Sequence, residues 1–254
     1  MPHSQLHPLE IDPNTGEPFL RLPAPRTNII ITPPRPTDVP GLVALYNDPE
    51  LAQWLNSIPH PFLEEHAEPR LARMIASSEV VMKEIQAAEA AFPEGPLQFI
   101  GGCPVTALRE VKPDGTQVYI GDVKVRRCLF VHLGLEEPER LQVMEANDAR
   151  PVGDESIVWG MADALAKSHH GQGIMTAAIG TVIRDWMIPR MNARHIRAET
   201  FVGNIGSVRV FEKNGFVAES PAVKIDWVSA SGIRHAGLHC LAWEFDAQEK
   251  RHLD

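Results

Sequence analysis

His169-His170-Gly171-Gln172-Gly173-Ile174-Met175 stands between a strand-like run, Ser156-Ile157-Val158-Trp159-Gly160-Met161-Ala162, and a segment in which Ile174, Ala178, Val182 and Trp186 recur at helical spacing. The order read from these residues is strand, glycine turn, helix. Glycines at 171 and 173 let consecutive backbone N–H groups turn inward where the helix begins, and the partial positive charge of a helix N-terminus favours a pyrophosphate. The ligand expected here is a phosphorylated cofactor. Neither competing nucleotide motif is complete. A P-loop needs Gly-Lys-Ser/Thr, and the dinucleotide fingerprint needs a third glycine near position 176, where Thr176 and Ala177 stand. Taken alone, Gly-x-Gly before a helix also serves as a purely structural turn.

A second segment lies downstream. His195 to Val202 reads as a strand, Gly203-Asn204 as a turn, and about Gly206 to Lys213 as a short helix. Asn214-Gly215 closes that helix, since both residues tolerate the left-handed conformation that ends helices. The structural reading of Asn204 and Ser207 is that one of them caps the helix.

Together the two segments resemble the GNAT superfamily of acyl-CoA-dependent N-acetyltransferases, and within it the branch resembling ribosomal-protein alanine N-acetyltransferases. The pyrophosphate loop of that branch, Arg/Gln-x-x-Gly-x-Gly/Ala, is matched by His170 to Met175. Its Asn-x-x-Ser element leading to Lys-x-Gly-Phe is matched by Asn204, Ser207, Lys213, Gly215 and Phe216. Two positions depart from the pattern: His170 replaces Arg or Gln, and Met175 replaces a small residue. A neutral imidazole still donates a hydrogen bond but brings no permanent charge to the phosphates.

The resemblance implies a mixed α/β (α+β) domain with a central, largely antiparallel sheet splayed between its central strands and helices on both faces. It implies acetyl-CoA as co-substrate, with no metal. The implied cofactor contacts are Met161, Ala162, His170, Gly171, Gln172, Gly173, Ile174, Met175, Asn204, Ser207, Phe211 and Lys213. The implied reaction is acetyl transfer to a primary amine by direct attack in a ternary complex.

That chemistry needs a proton acceptor for the ammonium group, a donor for the developing oxyanion and a proton for the leaving thiolate. By resemblance, Ser207 is the candidate to protonate the thiolate and Asn204 to hydrogen-bond the pantetheine arm. A serine hydroxyl is a weak acid, so a positioning role is the alternative. For the base, relatives in this branch can carry a glutamate just before the His-x-Gly-x-Gly segment, where this chain has Ser168. His169 and Glu199 are the candidates that remain, against readings as a loop histidine and a solvated strand residue; Asp163 and Glu155 come after them. An ordered water chain with no single base is a further possibility.

The resemblance extends to the N-terminal half, where Leu20-Arg21-Leu22, Asn28 to Thr32 and Asn47 to Leu55 look like the family's first strand and helix pair. Thr37 or Asp38 is expected to cap a helix through Val43-Ala44-Leu45, and Pro49 to open the next one. In relatives the region of Ile58-Pro59-His60-Pro61-Phe62 forms one wall of the acceptor pocket, which makes Trp54, His60, Phe62 and, on the central strand, Trp159 the substrate-binding candidates. The alternatives are a proline-stiffened connector and a core tryptophan.

The rest of the chain is read from composition and pattern. With 254 residues, 44% hydrophobic and 22% charged, one domain is expected: an N-terminal arm 1–19, the acetyltransferase domain 20–247 and a tail 248–254. Leu63 to Ala91 reads as a long helix. Leu97-Gln98-Phe99-Ile100 and Tyr119 to Val123 read as antiparallel strands joined near Lys112-Pro113-Asp114-Gly115-Thr116, with Cys103 on the predicted second strand. Gly134 to Val152 reads as a disordered insertion, and 218–227 with 233–245 as a terminal hairpin.

Cys103, Cys128 and Cys240 are too scattered for a disulfide framework and are expected to be buried thiols. His235 and His239, with His195, lack the carboxylate or cysteine spacing of a metal site. The net charge of −9 does not suit nucleic acid and favours cationic amines, and no apolar run spans a membrane. A soluble cytoplasmic monomer or homodimer acting on a small-molecule amine or xenobiotic is expected. The alternatives are a protein N-terminal acetyltransferase and a catalytically silent acyl-CoA sensor.

Overall fold

Short apolar runs fold into nine strands of one sheet among the described residues of the computed structural model, which are 4–245 apart from 57, 94, 135 and 136. The strands are β1 (Glu10–Ile11), β2 (Pro18–Arg21), β3 (Ile29–Thr32), β4 (Ala107–Val111), β5 (Gln117–Arg127), β6 (Val158–Leu165), β7 (His195–Phe201), β8 (Val217–Val228) and β9 (Arg234–Glu244). Their spatial order is β1-β2-β3-β4-β5-β6-β7-β9-β8. Every pairing is antiparallel except β6 with β7. That pair is parallel because the chain returns through a helical crossover beginning with α5 (Ile174–Thr181). The mixed, largely antiparallel architecture is the one expected.

The register of that parallel pair creates an opening. It runs from Val158↔His195 to Met161↔Ala198 and stops. Beyond it β6 stays with β5, to Gly121↔Leu165, and β7 stays with β9, to Phe201↔Leu238. The two strands therefore part after Met161 and Ala198.

Period-2 alternation gives the sheet two different faces. Trp159, Met161 and Leu165 of β6 join Ile196 and Ala198 of β7 in the larger core, with Ile174, Ala178, Val182 and Trp186 of the crossover. Ala164, and with it Gly160 and Ala162, faces the other way. There α1 (Val39–Asn47) and the start of α3 (Glu64–Ala91) bring Leu42, Leu45, Tyr46, Ala67 and Leu71 together with Phe62. The later turns of α3 place Val81 and Ile85 in the larger core. The crossover itself continues from α5 through a π-helical stretch, Val182–Met187, into α6 (Ile188–Met191).

Three expectations need correction. Asp38 precedes α1 but makes no side-chain cap. Its carboxylate accepts from Arg35 N at 2.8 Å and from both Arg109 Nη atoms at 2.7 Å, in a pair that is almost fully buried. Pro49 does open a helix, α2 (Pro49–Ala52), capped by the Asp48 side chain.

Leu97 to Ile100 is not a strand, and Cys103 lies in an irregular stretch. The N–H groups of Gln98 and Ile100 are taken by Gln5 Oε1 (2.9 Å) and Arg190 O (2.6 Å), so they never reach a strand partner. The partner of β5 is β4, joined to it through the expected turn at 112–116.

The stretch 134–152 contains a helix, α4 (Glu137–Asp148), rather than disorder. Asn147 fastens it by donating to Val158 O (3.0 Å) and accepting from Val158 N (2.9 Å) at the start of β6. The N-terminal arm packs against the domain. Gln5 is fully buried, donates to Phe92 O and Pro96 O, and offers its carbonyl to Arg190. The tail 248–254 lies outside the described residues.

Candidate active site

The glycine turn is built as its sequence requires. Gly171 (φ +72°) and Gly173 (φ +69°) are both left-handed, a conformation that side chains with a Cβ rarely adopt. Gly173 is the N-cap of α5 and no side chain caps the helix, so its first N–H groups have no partner within it. The Ile174 and Met175 side chains are buried, which leaves their backbone as the contact surface.

The His170 Nε2 donates to Leu165 O at 2.8 Å and braces the turn. Beside the turn stands Arg26, a permanent positive charge that no sequence motif marks. From the turn between β2 and β3, its Nε donates to Gln172 O at 2.7 Å, and a Cβ on Gly173 would lie 2.6 Å from its Nη2.

His169 belongs to this flank as well. Its Nε2 donates to Glu110 Oε2 at 3.2 Å, and it lines a cleft of about 510 Å³ with Arg26, Glu110 and Lys112. No residue of β7 lines that cleft, so His169 stands away from the strand opening, which weakens it as a proton acceptor for an amine held there.

At the opening, Glu199 is the first β7 residue beyond the parallel register. Alternation puts it on the face opposite Ala198, toward the α1 side. There Glu199 Oε1 lies 3.6 Å from His132 Nδ1, with side chains 18% and 9% exposed, and neither atom has a hydrogen-bond partner among the described residues. Cys128 Sγ completes a group whose ligand atoms all lie within 4.8 Å of one another, spacing that a divalent ion would accept. The Cys128 thiol is pushed up to about 11, chiefly by burial. Its proton would oppose such an ion at neutral pH.

His132 was not foreseen. It sits in a 3₁₀ turn, Val131–Leu133, set up by Phe130 in the left-handed region (φ 53°), an uncommon conformation for a bulky residue. No motif announces it.

A family model described as an acetyltransferase (GNAT) domain matches residues 28–217. The chain belongs to the GNAT acetyltransferase family. It is 33% identical over 98 residues to the probable N-acetyltransferase YjcK of Bacillus subtilis (strain 168), across 35% of this chain; it spans about half, 54%, of that curated relative. Among solved structures it resembles ribosomal-protein-S5-alanine acetyltransferase from Vibrio fischeri, with TM-score 0.53 and 16% identity over 90% of this chain and 97% of that one. It also resembles spermidine N-acetyltransferase from Vibrio cholerae in complex with CoA and spermine, with TM-score 0.54 and 12% identity over 87% and 97%. At such identities the likeness is one of fold.

Within this GNAT fold the remaining candidates divide. Asn204 Oδ1 accepts from Ser207 N at 3.3 Å and so caps α7 (Ile205–Glu212), which puts Ser207 in the first turn next to the end of β7. Lys213 is exposed at the end of α7. Phe211 is a core side chain, edge-on to Phe216. Phe62 and Trp159, 2% and 3% exposed, are core as well, so the connector and core readings describe them better than a pocket wall.

Trp54 does stand at the end of β7, 3.7 Å from a Cβ built on Gly203, with its ring 5.5 Å from His235; His60 is exposed. His235 stacks on Phe201 and His195 pairs with Glu244, which separates the histidines weighed as metal ligands. No helix among the described residues is long and apolar enough to cross a membrane.

On the α5 side of β6, burial pushes the Asp163 carboxyl up to about 7; Asp122 adds to the shift, while Lys124 and His170 oppose it. The folded chain therefore holds this proton more tightly than the unfolded chain, and stability should fall as pH rises from about 4 to about 7. Asp163→Asn is expected to remove that slope and raise the melting temperature at pH 8 but not at pH 4. Parallel melting curves at the two ends of the range would expose a wrong sign.

Proposed function

We propose that this GNAT protein transfers an acetyl group from acetyl-CoA to the primary amine of a small molecule by direct attack in a ternary complex. The observation that carries the reading is Glu199, a carboxylate with an unpartnered buried oxygen placed where β6 and β7 part. The residues fit coenzyme A: uncapped N–H groups at the glycine turn for the pyrophosphate, Arg26 for charge, and the backbone of Met161 and Ala162 along the opening for the pantetheine arm. Acetyl-CoA supplies a thioester carbonyl.

Glu199 takes a proton from the acceptor ammonium, and His132 beside it stabilises the carboxylate or receives the proton in turn. The amine nitrogen forms its bond to the carbonyl carbon, and backbone N–H groups of the parted strand hold the oxygen as charge develops on it. As the C–S bond breaks, Ser207 gives the thiolate its proton and is reprotonated, through water, by the proton that the attacking nitrogen sheds on becoming an amide. A peptide N-terminus is the rival acceptor, suggested by the ribosomal-protein relative.

The test is thiol release from acetyl-CoA, with mass spectrometry of products, across small amines, amino acids, polyamines and short peptides. Acceptor-dependent release that Ser207→Ala slows without weakening CoA binding supports the reading. CoA binding without release on any acceptor would replace it with a sensor. Gly173→Ala is expected to weaken CoA binding at least about tenfold, because a Cβ there forces a left-handed alanine and displaces Arg26. Calorimetric titration with CoA, which needs no turnover, measures this.

A further inference from the structure

We infer that the acceptor is a small amino acid, an amine bearing a free carboxylate, recognised by a cationic cluster on the α1 side of the opening. This inference rests on the acetyl-transfer reading and narrows its substrate class.

Lys124 on β5 is paired with Ala162 on β6, and by alternation both share the α1-side face with Glu199, which lies across the opening where β6 and β7 part. Lys124 and Glu199 thus flank the opening on one face of the sheet, with the small Ala162 between them. With β6 and β7 parted, the backbones of the cation and the proton acceptor stand more than two strand spacings, about 10 Å, apart. That span suits an amine at Glu199 and a carboxylate a few bonds away at the other end.

The cationic end has more charge than its own contacts neutralise. Tyr46 Oη accepts from Lys124 Nζ at 2.9 Å and from Arg70 Nη2 at 3.2 Å, and donates to Asp122 Oδ2 at 3.3 Å. Lys124 Nζ lies 3.2 Å from Asp122 Oδ1, and Tyr119 Oη donates to Asp122 Oδ2 at 3.1 Å. Asp122 therefore offsets Lys124. Arg70 has no carboxylate partner among the described residues, and its Nε is buried without an acceptor. A guanidinium with an unused donor is suited to a carboxylate oxygen. A polyamine would bring its distal ammonium against Arg70 and Lys124, and like charges there would repel it.

The experiment compares straight-chain ω-amino acids and α-amino acids with alkylamines of matched length and with spermidine. The expected result is a kcat/KM about 10- to 100-fold higher for the carboxylate-bearing acceptor than for its alkylamine counterpart. In Arg70→Gln that ratio collapses toward one, mainly through KM, and Arg70→Lys restores part of it. Equal rates for matched pairs, or a preference for spermidine, would overturn the inference while leaving acetyl transfer standing. A second measurement is independent of turnover: calorimetric binding of the amino acids to the CoA-loaded protein. Binding that Arg70→Gln abolishes, with no acetylation of any amine, would keep the carboxylate site and sink the transfer reading. Absence of both binding and preference would end the inference.

Discussion

Glu199→Gln is expected to lower the turnover number for acetyl transfer about 10²- to 10⁴-fold near neutral pH, with affinity for CoA essentially retained. The amide has nearly the same shape and keeps its place beside His132, 3.6 Å away, but it cannot take a proton from an ammonium group. The loss should shrink at high pH, where more of the amine arrives already neutral. A pH profile therefore separates loss of a proton acceptor from loss of structure, which would depress the whole curve. His132→Ala should have a smaller effect of the same kind, because it acts through Glu199. Should Glu199→Gln retain activity within a few-fold of the parent at all pH values, water would be accepting the proton and the role assigned to Glu199 would be wrong.

Asp38→Ala is expected to cost about 3–5 kcal/mol of unfolding free energy. Asp38 and Arg109 are 3% and 2% exposed and meet through two contacts of 2.7 Å, with Arg109 Nε also donating to Thr32 Oγ1 at 2.8 Å. Removing the carboxylate leaves a guanidinium buried without its counter-charge and strips the Arg35 N–H of its acceptor. The loss is a large part of the whole margin of a typical domain, about 5–15 kcal/mol. Urea unfolding measures it, and Asp38→Ala with Arg109→Met should recover part of the loss by removing the stranded charge. A single-variant change below about 1 kcal/mol would mean that water reaches the pair.

The legible elements are those whose cause is local. Gly171 and Gly173 demand left-handed backbone whatever surrounds them, so the turn and the start of α5 are readable from the residues alone. The same holds for the Asn204 cap of α7, for Gly215, and for the turn at 112–116 between β4 and β5. The long helix α3 and the terminal hairpin of β8 and β9 are readable in the same way.

Elements held by distant partners were misread. α4 looks like a charged loop until Asn147 docks on β6, and Leu97–Ile100 looks like a strand until Gln5 and Arg190 occupy its N–H groups. Asp38 looks like a helix cap because capping is local, whereas its partner Arg109 arrives from another strand.

The candidate site divides along the same line. By itself the sequence determined the glycine turn, the Asn204–Ser207 element and membership in a family with a splayed sheet, because backbone conformation and hydrogen bonding between neighbours are properties of short segments. Only the tertiary structure decided that His169 turns toward Glu110, that Arg26 reaches the Gln172 carbonyl of the glycine turn, and that Glu199 meets His132 on the face that also carries Lys124. Those relations depend on strand register and on which face each side chain takes, and these emerge only when segments far apart in the chain pack together.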